Sequence, residues 1–276
     1  MNIPHNIFTD PKNETTFRQD GYIVLEQFKP ADIQALLAIF SEFEPEHELD
    51  AIATVLLSDK DMLRTIHQRV APIFERCLYP VLNRYKFILG NFVAKRAASA
   101  YGKFPLHQDS TFVEEDEHIG ITIWCPLIDV DKHNGCLGVV PGSHRLNNYY
   151  RAPCILPYPH LLSAIELDYM HYIPMRVGQV MLMDNRVIHG SPSNLSSTMR
   201  PVAAGVAIPE AAPLLCCYRD EQSDAENMQV YQVPDDFYLR YTMLSHPQEG
   251  QLYKTVPHRI EALTIEKAQS MFQAVA

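Results

Sequence analysis

The sequence predicts a mostly β protein with flanking helices, a sandwich or jelly roll built as one domain over residues 1–276. Three observations predict it. Past residue 86 the chain breaks into many short runs rich in Val, Ile and aromatics. Turn signals such as NG, PGS and DN separate those runs, too closely spaced for alternating βα units. Before residue 86, apolar residues recur mainly at helical spacing.

Taken in order, GYIVLEQF reads as a short strand, followed by Pro30 opening the helix PADIQALLAIFSEF. There Ile33, Leu36, Leu37 and Phe40 fall on one face. A second helix is expected through DMLRTIHQRVAPIFERCLYPVLNRY, kinked or broken near Pro72 or Pro80. These segments make a helical N-terminal part over about 1–85. The strand candidates follow: KFILGNFVAKR, PLHQDSTF, IGITIWCPLI, CLGVVPG, GQVMLMD, VIHGS, PVAAGVAIP and PLLCCY, forming a β core over about 86–218. Within it, about 146–177 is rich in Tyr, Pro and Leu and reads as an insertion or lid. The end of the chain, about 235–276, reads as helical, with Ile260, Leu263, Ala268, Met271 and Phe272 inward in the tail.

Composition narrows the class. With 47% hydrophobic and 20% charged residues, the chain is globular and not disordered. Its apolar runs are far too short to span a bilayer, so no membrane role is expected. A net charge of −10 argues against a nucleic-acid partner, since binding a polyanion needs clustered Lys and Arg. The opening MNIPHNIFTDPKNETT has neither a basic nor an apolar leader region, and a cytoplasmic location is the expectation. The six cysteines, Cys77, Cys125, Cys136, Cys154, Cys216 and Cys217, form no CxxC pair and read as reduced thiols. Cys216 and Cys217, being adjacent, face opposite sides of a strand and cannot share a metal. The sequence leaves the oligomeric state open.

The chemistry concentrates in PLHQD. Residues two apart on a strand share a face, so His107 and Asp109 can hold one ion together. An imidazole and a carboxylate without thiolate suit Fe(II), Mn(II) or Zn(II). His189, in VIHGS, can supply a third ligand from another strand. Two histidines and one carboxylate on one face of an octahedron leave three positions open, the arrangement of non-heme Fe(II) oxygenases. Arg200 follows eleven residues later, and its planar guanidinium suits a two-pronged grip on a carboxylate.

These residues, with WCPLIDVDKHNGCLGVVPGSHR at 124–145 and GQVMLMDNRVIHGSPSN at 178–194, resemble the phytanoyl-CoA dioxygenase family of Fe(II)/2-oxoglutarate-dependent oxygenases. The opening DGYIVLEQF is similar to that family's start. The resemblance implies a double-stranded β-helix core, a cupin-like jelly roll. It also implies Fe(II) as cofactor, 2-oxoglutarate and O2 as cosubstrates, and His107, Asp109 and His189 as iron ligands. Arg200 and Ser191 would bind the distal carboxylate of 2-oxoglutarate, Trp124 would line its pocket, and Gln108 would contact substrate or cosubstrate. Because Asp109 retains the carboxylate, hydroxylation is favoured over halogenation.

The implied partner is a small molecule, oxidised to a hydroxylated product with release of succinate and CO2. The acidic stretch EEDEH, residues 114–118, reads first as an exposed loop and second as a feature at the site mouth that attracts a cationic group. On the second reading the substrate is a guanidine-bearing natural product. Two other readings stay open, a metal-bearing jelly roll without oxygenase activity and a Zn-dependent hydrolase. His144 reads as a loop-positioning residue, and His118 and His133 as solvated.

Overall fold

The computed structural model describes residues 6–43, 49–146, 149–153, 158–159, 161–258 and 263–272. The chain begins with α1 (Pro11–Asp20), absent from the sequence reading because only Phe17 of its ten residues is buried. Its ends are set by local chemistry. The Asp10 side chain accepts from the Lys12 amide, Pro11 opens the helix, and Gly21 closes it in the left-handed conformation at φ 84°. Then come β1 (Tyr22–Glu26), α2 (Pro30–Phe43), β2 (Ala51–Ala53) and α3 (Lys60–Leu78). The last is a single helix that runs through Pro72 and stops before Pro80. Its buried stripe is Leu63, Ile66, Val70, Phe74 and Cys77, while Pro72 faces solvent, where a missing amide bond is tolerated.

The strands that follow are β3 (Tyr85–Lys95), β4 (Phe104–His107), β5 (Ile121–Pro126) and β6 (Gly138–Val139). After α4 (Leu162–Tyr169) come β7 (His171–Tyr172), β8 (Gln179–Asp184), β9 (His189–Ser191) and β10 (Arg200–Pro209). The chain ends with β11 (Leu214–Asp220), β12 (Asp224–Val233), β13 (Gln251–Pro257) and α5 (Ile265–Met271). One antiparallel sheet has the order β1-β8-β5-β10-β3-β2 and a second has the order β4-β9-β6-β7. Together they form the expected jelly roll.

Alternation along the large sheet assigns its two faces. Ile121, Ile123, Cys125, Val180, Leu182 and Ala203 pack outward under α2 and α3, against Leu36, Phe40, Ile66 and Phe74. Trp124, Met181, Met183, Val202 and Ala204 point inward, toward Cys136, Leu137, Val139 and Val187 on the small-sheet side. α3 can lie close because Gly90 and Gly205 are paired across β3 and β10. A Cβ on Gly90 would come within 3.1 Å of Val70, and one on Gly205 within 2.9 Å of the Phe74 ring.

Two parts of the expected layout change. The segment 235–276, read as helical, contains the edge strand of a third sheet, β11-β12-β13, and its α-helix is only seven residues long. Strand β13 is exposed or half-buried throughout and lacks the apolar runs that mark core strands. In the tail, Leu263, Ala268 and Phe272 are buried as expected, whereas Ile260 lies outside the described residues. The segment 146–177 is not a simple insertion either, because β7 closes the small sheet beside β6 and Met175 bridges Val130. Cys216 and Cys217 enter separate hydrophobic clusters. The five described cysteines are buried free thiols, and Cys154 lies outside the described residues.

Candidate metal and cosubstrate centre

β4 and β9 are antiparallel neighbours, in a register that sets His107 directly opposite His189. Their rings lie 4.2 Å apart, centroid to centroid. Asp109 reaches the same point by another route than the one expected. β4 ends at His107, so Asp109 sits on the loop beyond it, held by a bond from its amide to the Asn185 carbonyl at 3.0 Å. Its Oδ1 lies 3.8 Å from Nε2 of each histidine, and ligand atoms of the three residues all fall within 4.8 Å of one another.

The surroundings fix how these groups present themselves. Nδ1 of His107 lies 2.8 Å from the Pro105 carbonyl, and Nδ1 of His189 lies 3.0 Å from the Val187 carbonyl. Each carbonyl accepts a hydrogen bond from Nδ1–H, which leaves the Nε2 lone pair facing the centre. Burial, with His107 adding to it, pushes the His189 imidazolium down to about 4, so the ring is neutral and ligand-ready near pH 7. Asp109 turns its other oxygen, Oδ2, to the Thr122 hydroxyl, which also accepts from the Asn185 amide at 2.7 Å.

Arg200, the first residue of β10, is fully buried. Its guanidinium lies over the Trp124 ring at 5.5 Å, and its Nε and Nη1 find no hydrogen-bond partner among the described residues. Burial lowers it to about 9. A buried cation with two idle donors is a strongly unfavourable arrangement unless an anion completes it. The donor set therefore fits a divalent ion at the triad and a carboxylate at Arg200. Ser191, at the end of β9, is buried opposite Phe104, and Trp124 lies on the inner face of β5. Gln108 is buried too, but its amide is already engaged. It donates to the Arg186 carbonyl at 2.5 Å and accepts from the Tyr149 hydroxyl.

Sequence reading missed Lys95. It pairs with Arg200 across β3 and β10, is fully buried, and donates to the Ser191 carbonyl at 3.0 Å and to the Pro192 carbonyl. Burial, with Arg200 adding to it, lowers its ammonium to about 6. In sequence, KR at a strand end is indistinguishable from a solvated pair. The acidic stretch is only in part the exposed loop expected, since Asp116 and Glu117 are exposed but the two residues before them are engaged. Glu115 is buried in a two-pronged pair with Arg151, and Glu114 receives Tyr150 and Lys254. His144 is buried against the Arg18 carbonyl, and His133 is exposed.

The model of the phytanoyl-CoA dioxygenase (PhyH) family matches residues 17–202, two thirds of the chain and all four of His107, Asp109, His189 and Arg200. The chain belongs to the phytanoyl-CoA dioxygenase family. A phytanoyl-CoA dioxygenase of Arabidopsis thaliana is 30% identical over 102 residues, 36% of each protein. The chain thus aligns with little more than a third of that relative's length. An ectoine dioxygenase of Sphingopyxis alaskensis is 28% identical over 219 residues, covering 67% of this chain and 71% of the relative. Among solved structures, EctD from S. alaskensis with 2-oxoglutarate and 5-hydroxyectoine superposes with a TM-score of 0.53. It is 22% identical and covers 75% of this chain and 78% of its own, so it shares the fold of this family member. Among the described residues, no helix is long and apolar enough to cross a membrane.

Proposed function

We propose that the protein is an Fe(II)- and 2-oxoglutarate-dependent hydroxylase of a small molecule. The observation that carries this reading is the pairing of a triad of two histidines and one carboxylate with the buried Arg200 guanidinium, two of whose nitrogens find no hydrogen-bond partner among the described residues. His107, Asp109 and His189 would hold the ion on one face. Arg200, with Ser191, would bind the distal carboxylate, and the Trp124 ring would wall the pocket.

Bound iron and cosubstrate would supply the oxidising power, converting 2-oxoglutarate, O2 and substrate into succinate, CO2 and the hydroxylated product. The chain's own task is placement. Strand pairing fixes the two imidazoles, and the Thr122 hydroxyl fixes the carboxylate. A metal-bearing binding protein or a Zn-dependent hydrolase needs no buried clamp for a carboxylate, and Arg200 therefore weighs against both.

For the substrate, the family relationship favours a metabolite-sized molecule, with a role in natural-product biosynthesis as the finer reading. The idea of a guanidine-bearing natural product rests on the acidic stretch at 114–117, of which Glu114 and Glu115 are already paired with Lys254 and Arg151. Incubation with guanidine alkaloids tests it, and a substrate mass gain of one oxygen is the supporting result.

The reaction class is tested by anaerobic titration with Fe(II) and 2-oxoglutarate. A weak visible charge-transfer band is expected from the wild type and not from Asp109→Ala, which should also lose cosubstrate turnover while keeping its fold. A wild-type protein without the band, or Asp109→Ala with unchanged succinate formation, would sink the reading.

A further inference from the structure

We propose that Arg151 is a positioning residue for the metal-binding loop, tying segment 149–151 to the backbone of Asp109. The loop from Gln108 to Val113 follows β4 without forming a strand, so its buried backbone groups need partners from elsewhere. The 149–151 segment supplies them. Thr111 donates its amide to the Arg151 carbonyl at 3.0 Å, and the Arg151 amide donates to the Thr111 hydroxyl at 3.0 Å. The fully buried Arg151 side chain donates from Nε to the carbonyl of Asp109 itself, at 2.8 Å. Its Nη1 and Nη2 bind the two Glu115 oxygens at 2.9 and 2.5 Å, which holds the guanidinium plane and so aims Nε. Nη1 also reaches the Tyr149 carbonyl at 3.0 Å, and the Tyr149 hydroxyl bonds Gln108.

Asp109 is therefore pinned at both ends of its residue, its amide by the Asn185 carbonyl and its own carbonyl by Arg151. Thr122 then orients the carboxylate. A lysine at 151 would keep the charge and lose the fork, since one ammonium cannot hold Glu115 flat and reach Asp109 along a fixed direction. Rearrangement of the 149–151 segment would release the Asp109 carbonyl, which gives neighbouring segments a physical route to the metal.

This inference rests on the triad binding a divalent ion, and the test separates the two. Co(II) is titrated anaerobically into wild type, Arg151→Lys and Glu115→Gln, following affinity and the visible d–d spectrum. Asp32→Asn serves as the control, because it breaks the distant Arg76 pair. Wild type should bind Co(II), and failure to do so removes the triad reading itself. Both site variants should bind about tenfold more weakly with a changed d–d band, while Asp32→Asn binds as wild type does. Wild-type affinity and spectrum in Arg151→Lys, with only a lower melting temperature, would reduce Arg151 to a structural staple and overturn the inference. If Arg151→Lys does not fold, Glu115→Gln, which preserves volume and one acceptor, decides by the same readings.

Discussion

Arg200 is a buried cation without a counter-ion among the described residues, and an unpaired buried charge costs several kcal/mol. Arg200→Met should therefore raise the stability of the ligand-free protein by about 1–3 kcal/mol while raising the 2-oxoglutarate KM by about a hundredfold, the worth of two charge-assisted hydrogen bonds. Melting curves and cosubstrate titrations check both halves, and a variant that is less stable with an unchanged KM takes Arg200 out of the pocket. Lys95 yields a prediction in pH. Its pKa falls from 10.5 unfolded to about 6 folded, so between those values the unfolded chain binds more protons. The penalty is complete below pH 6 and is relieved as pH rises toward 10.5. Ligand-free protein should gain stability from this group between pH 6 and 9, and Lys95→Met should flatten the rise. An identical pH slope in the variant would contradict it. Arg200 was legible in sequence because it stands at a fixed distance from a distinctive histidine segment. Lys95 and Arg151 were not, because burial of a cation has no local signature.

At the scale of elements, α3 shows a propensity overridden by packing. Its apolar face buries Leu63, Ile66, Val70, Ile73, Phe74 and Leu78, which outweighs the hydrogen bond that Pro72 removes. Pro72→Ala should restore that bond and stabilise the protein by about 1–2 kcal/mol, after the loss of proline's restraint on the unfolded chain. Denaturant midpoints measure it, and a destabilised variant would show that the proline shape is needed where it stands. The β4–β9 pair makes the complementary point. Sequence spacing placed His107 and Asp109 on one strand face, yet the strand stops at His107 and the loop carries Asp109 back to the same centre. The HxD spacing nominated two side chains that do converge, for a reason that the fold replaces. Helix α1 escaped notice because a helix with one buried residue shows no apolar stripe, and β13 escaped because an exposed edge lacks an apolar run.

For the molecule as a whole, the candidate centre draws its donor atoms from β4, the following loop and β9, while Arg200 comes from the other sheet. Occupancy therefore ties the two halves of the jelly roll together. Free ligand at a hundred times its Kd stabilises a folded protein by about 2.7 kcal/mol. Mn(II) with 2-oxoglutarate should raise the melting temperature by more than the two separate shifts combined, since the ion and the carboxylate clamp share one cosubstrate. Additive shifts, or synergy that survives in Arg200→Met, would mean that the clamp and the ion do not serve the same molecule.

By itself the sequence determined the fold class, the long helices and most core strands, and it nominated His107, Asp109, His189 and Arg200 as candidates for one site. It could do so because apolar periodicity and the motif segments that carry the family resemblance are local properties of the chain. Only the tertiary structure decided the register that faces His107 with His189, the loop that returns Asp109, and the burial of Lys95, Arg151 and Glu115 around them. Those depend on which surfaces lose water when distant segments pack, and no window of neighbouring residues contains that information.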